Sequence, residues 1–164
     1  MNIKKTLYLL LFASLAISCG GKKTLLDEER SFPNTVWNRF TPQVYTVDVQ
    51  QPDTYYNIDL EVVVDTARMR GTQLPLTVNL YSPDNERRMF YSGIEFIQNG
   101  RWKGEAAENP GQRVLHQTIR SFFSFNRKGE HRLEIGQATS QYDLDGVHSL
   151  KVTISEAELD YKDL

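Results

Sequence analysis

Very little of the chemistry that usually announces an enzyme is present in this chain. Its 164 residues include one cysteine and three histidines. A single thiol excludes an intrachain disulfide and a thiolate metal site. His116, His131 and His148 lie far apart, with no H-x-x-x-H or H-E-x-x-H spacing, and each is read as a surface or strand-face residue. There is no G-x-S-x-G elbow and no glycine-rich phosphate loop. Basic residues are not in excess, with 19 Lys and Arg against 21 Asp and Glu. Nucleic-acid binding needs such residues clustered, so it is excluded as the main role. After residue 18 no apolar run approaches the ~20 residues that cross a bilayer.

What is present begins at the N-terminus. Lys4 and Lys5 form a short basic start, Leu7 to Ile17 are almost wholly apolar, and Ala16-Ile17-Ser18 lead into Cys19. This is the order of a signal peptide with a small-residue cleavage site. A cysteine just after the cut marks a bacterial lipoprotein. Its sulfur would carry a diacylglycerol and its freed amine a third acyl chain. Multiple chains give durable anchoring where a single one does not. Ala16 stands where such sites usually carry Leu, and Leu15 lies one step earlier. Residues 1–18 are thus expected to be a signal peptide and Cys19 the site of lipidation. Removing Lys4 and Lys5 leaves 17 basic residues against 21 acidic ones, a mature charge of about −4. Residues 19–30 read as the lipidated cysteine and a flexible polar tether, and residues 31–164 as a single domain. Lys22 and Lys23, rather than acids, follow Cys19, so the lipoprotein is expected to face the periplasm.

From about Gln43 the apolar residues alternate with polar ones, the period of half-buried strands. Tyr45, Val47 and Val49 make one such run, Ile58 to Val64 a second and Leu74 to Leu80 a third. Phe90 to Ile97 and Val114 to Phe125 are richer apolar stretches, and alternation returns at Leu133–Ile135 and Leu150–Ile154. Turn signals separate them at Pro83-Asp84-Asn85, Asn99-Gly100, Asn109-Pro110-Gly111, Lys128-Gly129 and Asp145-Gly146. The fold class is all-β: an antiparallel β-sandwich of about seven strands, jelly-roll or immunoglobulin-like. Leu60, Val62, Val78, Leu80, Leu133, Ile135 and Val152 are expected to point inward. Glu156 to Leu164 is the only later segment with the makings of a short helix.

Three features remain to be weighed for chemistry. Asp143, Asp145 and Gly146 form a D-x-D-G, but a calcium loop needs more oxygen ligands and a distal Glu, so this reads as a turn. Glu95, Glu105 and Glu108 offer a carboxylate pair of the kind used in glycoside hydrolysis, with nothing in the sequence to fix its separation. Among the aromatics, Trp37, Tyr55, Tyr56, Tyr81, Tyr91 and Trp102 lie partly near turns. Trp37 and Trp102 are the candidate contacts for a protein partner or a glycan. The preferred reading for each is a plug at a sandwich end. No catalytic residue, metal or cofactor is expected.

Several stretches carry a resemblance. Ser31-Phe32-Pro33-Asn34-Thr35-Val36-Trp37-Asn38-Arg39 resembles the start of the mature domain in GldH-type gliding-motility lipoproteins of the Bacteroidetes. Gly100-Arg101-Trp102-Lys103-Gly104 is similar to that family's central G-x-W-x-G. Phe125 to Ala138, with Gly129 and Gln137, resembles its late strand ending in Q-A, and Leu144 to Ile154 its last strand. The resemblance implies a non-enzymatic, membrane-anchored lipoprotein in the gliding and type IX secretion-associated envelope machinery, with envelope proteins as partners. It supplies no catalytic residues. The alternative is a lipid-anchored carbohydrate-binding module.

Overall fold

The structure, a computed structural model, describes residues 23–158. Cys19 and the signal segment lie outside the described residues. The strands, in chain order, are β1 (Thr24–Ser31), β2 (Val36–Asn38), β3 (Gln43–Val49), β4 (Tyr55–Asp65), β5 (Gln73–Tyr81), β6 (Arg87–Glu95), β7 (Ile97–Gln98), β8 (Arg101–Trp102), β9 (Glu105–Ala106), β10 (Gln112–Ser124), β11 (Gly129–Gln137), β12 (Asp143–Asp145) and β13 (Val147–Glu156).

Two antiparallel sheets face each other. One has the order β1-β13-β4-β10-β9 and the other β3-β11-β5-β6. Taking the eight long strands alone, the first pairs with the last, the second with the seventh, the third with the sixth and the fourth with the fifth. That is a long antiparallel ladder rolled up on itself, the jelly-roll member of the two architectures expected. Two small ribbons, β2 with β12 and β7 with β8, decorate the roll.

Period-two alternation builds the core, because successive side chains leave a strand on opposite faces. Ile58, Leu60, Val62 and Val64 of β4 point inward, as do Leu74, Leu76, Val78 and Leu80 of β5. All seven expected core residues are buried, Leu80 the most exposed of them at 4%. Each such side chain contributes roughly 1.5–3 kcal/mol of transfer free energy.

Three expectations need correction. Strands outnumber seven, because five of them are only two or three residues long and carry no readable period. Thr24 to Arg30 is no tether: it belongs to β1, paired with β13 from Thr24↔Ser155 to Ser31↔Ser149. Its Asp27-Glu28-Glu29-Arg30 run reads as solvated because β1 is an edge strand with only Leu26 buried. Asp27 accepts from Lys151 and Thr153 of β13, each at 3.0 Å, and these bonds hold its carboxyl below the usual carboxylate range. Glu156, expected to open a helix, instead ends β13; residues from 159 onward lie outside the described ones.

Both open sides of the roll are closed by arginine. Between β1 and β3, Arg30 lies over the Tyr45 ring, 5.3 Å from its centroid. Between β10 and β6, Arg120 lies over Phe90 and Arg88 over Phe123.

Candidate interaction surface

One end of the roll gathers the resemblance motifs. Strand β1 ends there, β13 starts there, and the β2–β12 ribbon bridges the two sheets. Phe32 donates its N–H to the His148 carbonyl at 2.9 Å and stacks on Trp37 with ring centroids 4.8 Å apart. The Pro33–Thr35 turn follows, with Asn34 at φ 55° and Thr35 at φ 60°. Positive φ is unfavourable for a β-branched residue, and Thr35 is held there from two sides. Gly146 donates its N–H to the Thr35 carbonyl at 2.9 Å, and the Arg68 guanidinium bonds the Thr35 hydroxyl. Arg68 also grips Asp145 with Nε at 2.9 Å and a second nitrogen at 2.5 Å. Gly146, at φ 94°, leaves room for that arginine: a Cβ there would sit 2.8 Å from the Arg68 Cβ. The D-x-D-G is therefore a turn braced by arginine.

Gln137 is the second brace. It is 3% exposed, and its amide nitrogen donates to the Gln141 carbonyl at 3.0 Å, close also to those of Tyr142 and Trp37. Its oxygen accepts from the N–H and hydroxyl of Thr139, at 2.9 and 2.7 Å. A buried amide satisfied at both ends fixes the chain around it. The loop so fixed carries Tyr142, whose carbonyl accepts from the Arg39 N–H at 2.7 Å. Asn38 donates to Asp143 at 2.6 Å and accepts from the Phe40 N–H at 2.9 Å. The result is a rigid ledge on which Phe40 and Tyr142 stand 72% and 67% exposed, their rings 5.7 Å apart.

The two tryptophans fare differently. Trp37 is 1% exposed and its indole N–H has no partner among the described residues. As a contact for a partner or glycan it is corrected: it plugs the sandwich end, as its Phe32 stack requires. Trp102 is half-buried and stacks on Phe96 with centroids 5.2 Å apart and planes 19° apart. The G-x-W-x-G around it is a packing device. Lys103 donates its N–H to the Phe96 carbonyl at 2.8 Å and ion-pairs Glu95 at 3.0 Å. Gly104 lies so close to β10 that a Cβ would fall 2.1 Å from the Val114 carbonyl oxygen. Phe40 and Tyr142 were missed because each sits in a polar stretch with no period. An aromatic in a turn, without an alternating neighbour, is the signal that would have found them.

Of the other candidates, His131 is 1% exposed, edge-on to Phe125, with Nδ1 3.1 Å from the Gly129 carbonyl. Burial holds its imidazole below the ordinary value. His116 is exposed on the outer face of the β4 sheet, 3.6 Å from Glu61. There Asp59, Glu61, His116 and Lys151 border a shallow polar hollow of about 300 Å³. His148 meets Gln112 at 3.0 Å. The structure does not bring the three histidines together. Among the described residues no group of three or more His, Cys, Asp or Glu side chains is placed to hold a metal. Glu95, Glu105 and Glu108 are all exposed, with Glu95 engaged by Lys103. No described helix is long and apolar enough to cross a membrane.

Among solved structures, the chain is similar to the serine protease of Aeromonas sobria, at 12% identity and a TM-score of 0.35. That match covers 90% of this chain and 29% of the protease. The complex of that protease with its chaperone matches at 13% identity and the same TM-score, covering 92% of this chain and 29% of that one. Likeness of that size supports no argument about activity. No curated protein matches. A family model described as GldH lipoprotein matches residues 24–154, from the start of β1 almost to the end of β13. The braces, both tryptophans and every strand but the last two residues of β13 fall inside that span, and the chain belongs to the GldH lipoprotein family.

Proposed function

We propose that this protein is a membrane-anchored lipoprotein with a non-catalytic accessory role in the gliding-motility and type IX secretion-associated envelope machinery. The family match over residues 24–154 carries the reading. Cys19 is the lipidated residue, and the domain faces the periplasm. The partner is another envelope protein, met through the ledge of Phe40 and Tyr142. Trp102, half-exposed beside Arg101, is the one tryptophan of the two with a surface left to touch it. Exposed aromatics on a rigid support suit a protein contact, since they bury large area at small entropic cost.

Metabolic labelling with a clickable palmitate analogue tests the anchor. Wild type should be labelled and membrane-bound, and Cys19→Ser unlabelled and soluble. Unlabelled wild type would refute it. A photo-crosslinker at position 40 tests the role and should capture motility or secretion components from intact envelopes. Capture of glycan alone would favour the carbohydrate-binding alternative.

A further inference from the structure

The roll has a second end, and it lies where the chain enters the domain. Glu156 donates its N–H to the Lys23 carbonyl at 2.8 Å, and Ala157 donates to the Tyr55 carbonyl at 2.9 Å. Tyr55 in turn pairs with Ser124, the last residue of β10. Cys19 stands only four residues before Lys23, a reach of at most about 14 Å at ~3.5 Å per residue. A lipid on Cys19 therefore puts this end against the bilayer and the Phe40–Tyr142 ledge away from it.

The end is shaped for such a neighbour. Strand β10 breaks register twice, between Thr118 and Arg120 and between Arg120 and Phe123. The breaks throw Phe122 outward at φ 50°, its N–H donated to Asn57 Oδ1 at 3.2 Å and its side chain 51% exposed. A bulky aromatic held in a disfavoured conformation and left half exposed points to a contact made elsewhere. Tyr55 is 48% exposed at the same end. Tyrosine rings settle at the headgroup level of membranes, and phenylalanine on an interfacial surface buries its ring at the acyl boundary.

Beside Phe122 opens a cleft of about 520 Å³, lined by Arg88, Arg120, Ser121, Phe123 and Ser124. Both guanidiniums are oriented before any ligand arrives. Arg88 stacks over Phe123, 5.7 Å from its centroid, and donates to the Ser124 carbonyl at 3.3 Å. Arg120 stacks over Phe90 at 5.4 Å. The nearest carboxylate to Arg88 is Glu86, at 3.9 Å, and Arg120 has no ion pair among the described residues. Two planar donors facing one cleft fit a phosphate.

We propose that this end docks on the bilayer surface, with Phe122 inserted among the headgroups and Arg88 and Arg120 holding an anionic lipid phosphate. The inference rests on the lipid-anchored reading for its orientation. The docked lipoprotein stands at a fixed angle, its ledge presented to the periplasm.

The test uses the full mature chain with Cys19→Ser, so that no acyl chain confuses the result. It should float with vesicles of phosphatidylethanolamine and phosphatidylglycerol, and much less with phosphatidylethanolamine and phosphatidylcholine. Arg88→Gln and Arg120→Gln should each lower that partition about fivefold, the effect of one basic residue at an anionic surface. Phe122→Gly should abolish most binding without lowering the melting temperature, since glycine accepts positive φ freely. Phe122→Trp should gain fluorescence quenching by brominated lipid. Equal flotation on both vesicle types, or by the arginine variants and the parent, would overturn the proposal. So would binding of glycerol phosphate in solution without vesicle binding, which would mark a soluble phosphate ligand. Failure here leaves palmitate labelling of Cys19 intact, and failure of that labelling leaves flotation intact, so the two readings fall separately.

Discussion

Substituting Gly104 by alanine separates two reasons why a glycine is needed, when it is set beside the same change at Gly100. Both residues have nearly the same left-handed backbone, φ 74° and φ 73°. An alanine in that region costs about 1–2 kcal/mol at either site. The surroundings differ. A Cβ at Gly100 meets nothing within 4 Å, whereas one at Gly104 would overlap the Val114 carbonyl oxygen at 2.1 Å and the Leu115 side chain at 2.9 Å. That gap must open by about 1.4 Å to reach an ordinary contact of ~3.5 Å. The β9–β10 pairing, Arg113↔Ala106 and Val114↔Glu105, cannot survive the shift. Its backbone bonds are worth about 1 kcal/mol each. The Trp102–Phe96 stack, on the same short segment, adds about 0.5–1.5 kcal/mol. Gly104→Ala is therefore expected to cost about 3–5 kcal/mol and Gly100→Ala about 1–2 kcal/mol. Urea unfolding followed by tryptophan fluorescence measures both, with an unchanged m-value confirming that only stability moved. In melting temperature the difference is several degrees at about 3 °C per kcal/mol. If the two variants agree within about 0.5 kcal/mol, the close approach of Gly104 to β10 contributes nothing and the argument fails.

Further outcomes follow from the braces and the buried ring. Gln137→Leu, which keeps the volume and removes the amide, is expected to cost about 1–3 kcal/mol, and amide exchange at Thr139 to Tyr142 should quicken; unchanged exchange would show that the loop is held by something else. His131 is buried neutral, so its folded pKa lies below the unfolded value of about 6.5 and the unfolded chain takes up the proton first. Its contribution is complete above ~6.5 and is lost as pH falls through the folded value, so stability should drop on acidification from pH ~7.5 to ~5.5 by more than in His131→Phe. Parallel curves for the two proteins would refute this. Phe40→Ser with Tyr142→Ser should change stability by less than about 0.5 kcal/mol each while weakening partner crosslinking severalfold; retained crosslinking would move the partner surface elsewhere.

The sandwich was legible because burial imposes period two: each of the seven alternating or apolar runs marks a strand, with only Phe96 and Phe125 falling just outside one. What stayed hidden obeys other physics. Strand β1 answers to hydrogen bonds and the Asp27–Lys151 pair rather than to hydrophobicity, so its acidic run looks like linker. Ribbons of two or three residues are too short for any period. The choice between jelly roll and immunoglobulin topology rests on pairing between distant segments, Thr24 with Ser155 for instance, which no local pattern encodes. At the candidate surface the tryptophans were visible and the ledge was not. Phe40 and Tyr142 become neighbours only because Gln137, a residue unremarkable in sequence apart from its family resemblance, draws their two loops together.

The place of β13 between β1 and β4 has a consequence for how the domain comes into being. Export delivers the chain from its N-terminus, so β1 and β4 appear long before the strand that joins them. Until Val147–Glu156 emerges, β1 has no strand to pair with and β4 lacks one of its two. No N-terminal fragment can therefore form this sheet and wait. The chain must remain open, with two strand edges unmatched, until its last ten described sheet residues arrive. Completion is then a single late event that closes the roll from both ends of the polypeptide, a slow route of high contact order in which premature pairing between molecules is the chief hazard. Loss of even the final few residues of β13 should leave an aggregating chain, not a slightly weaker domain.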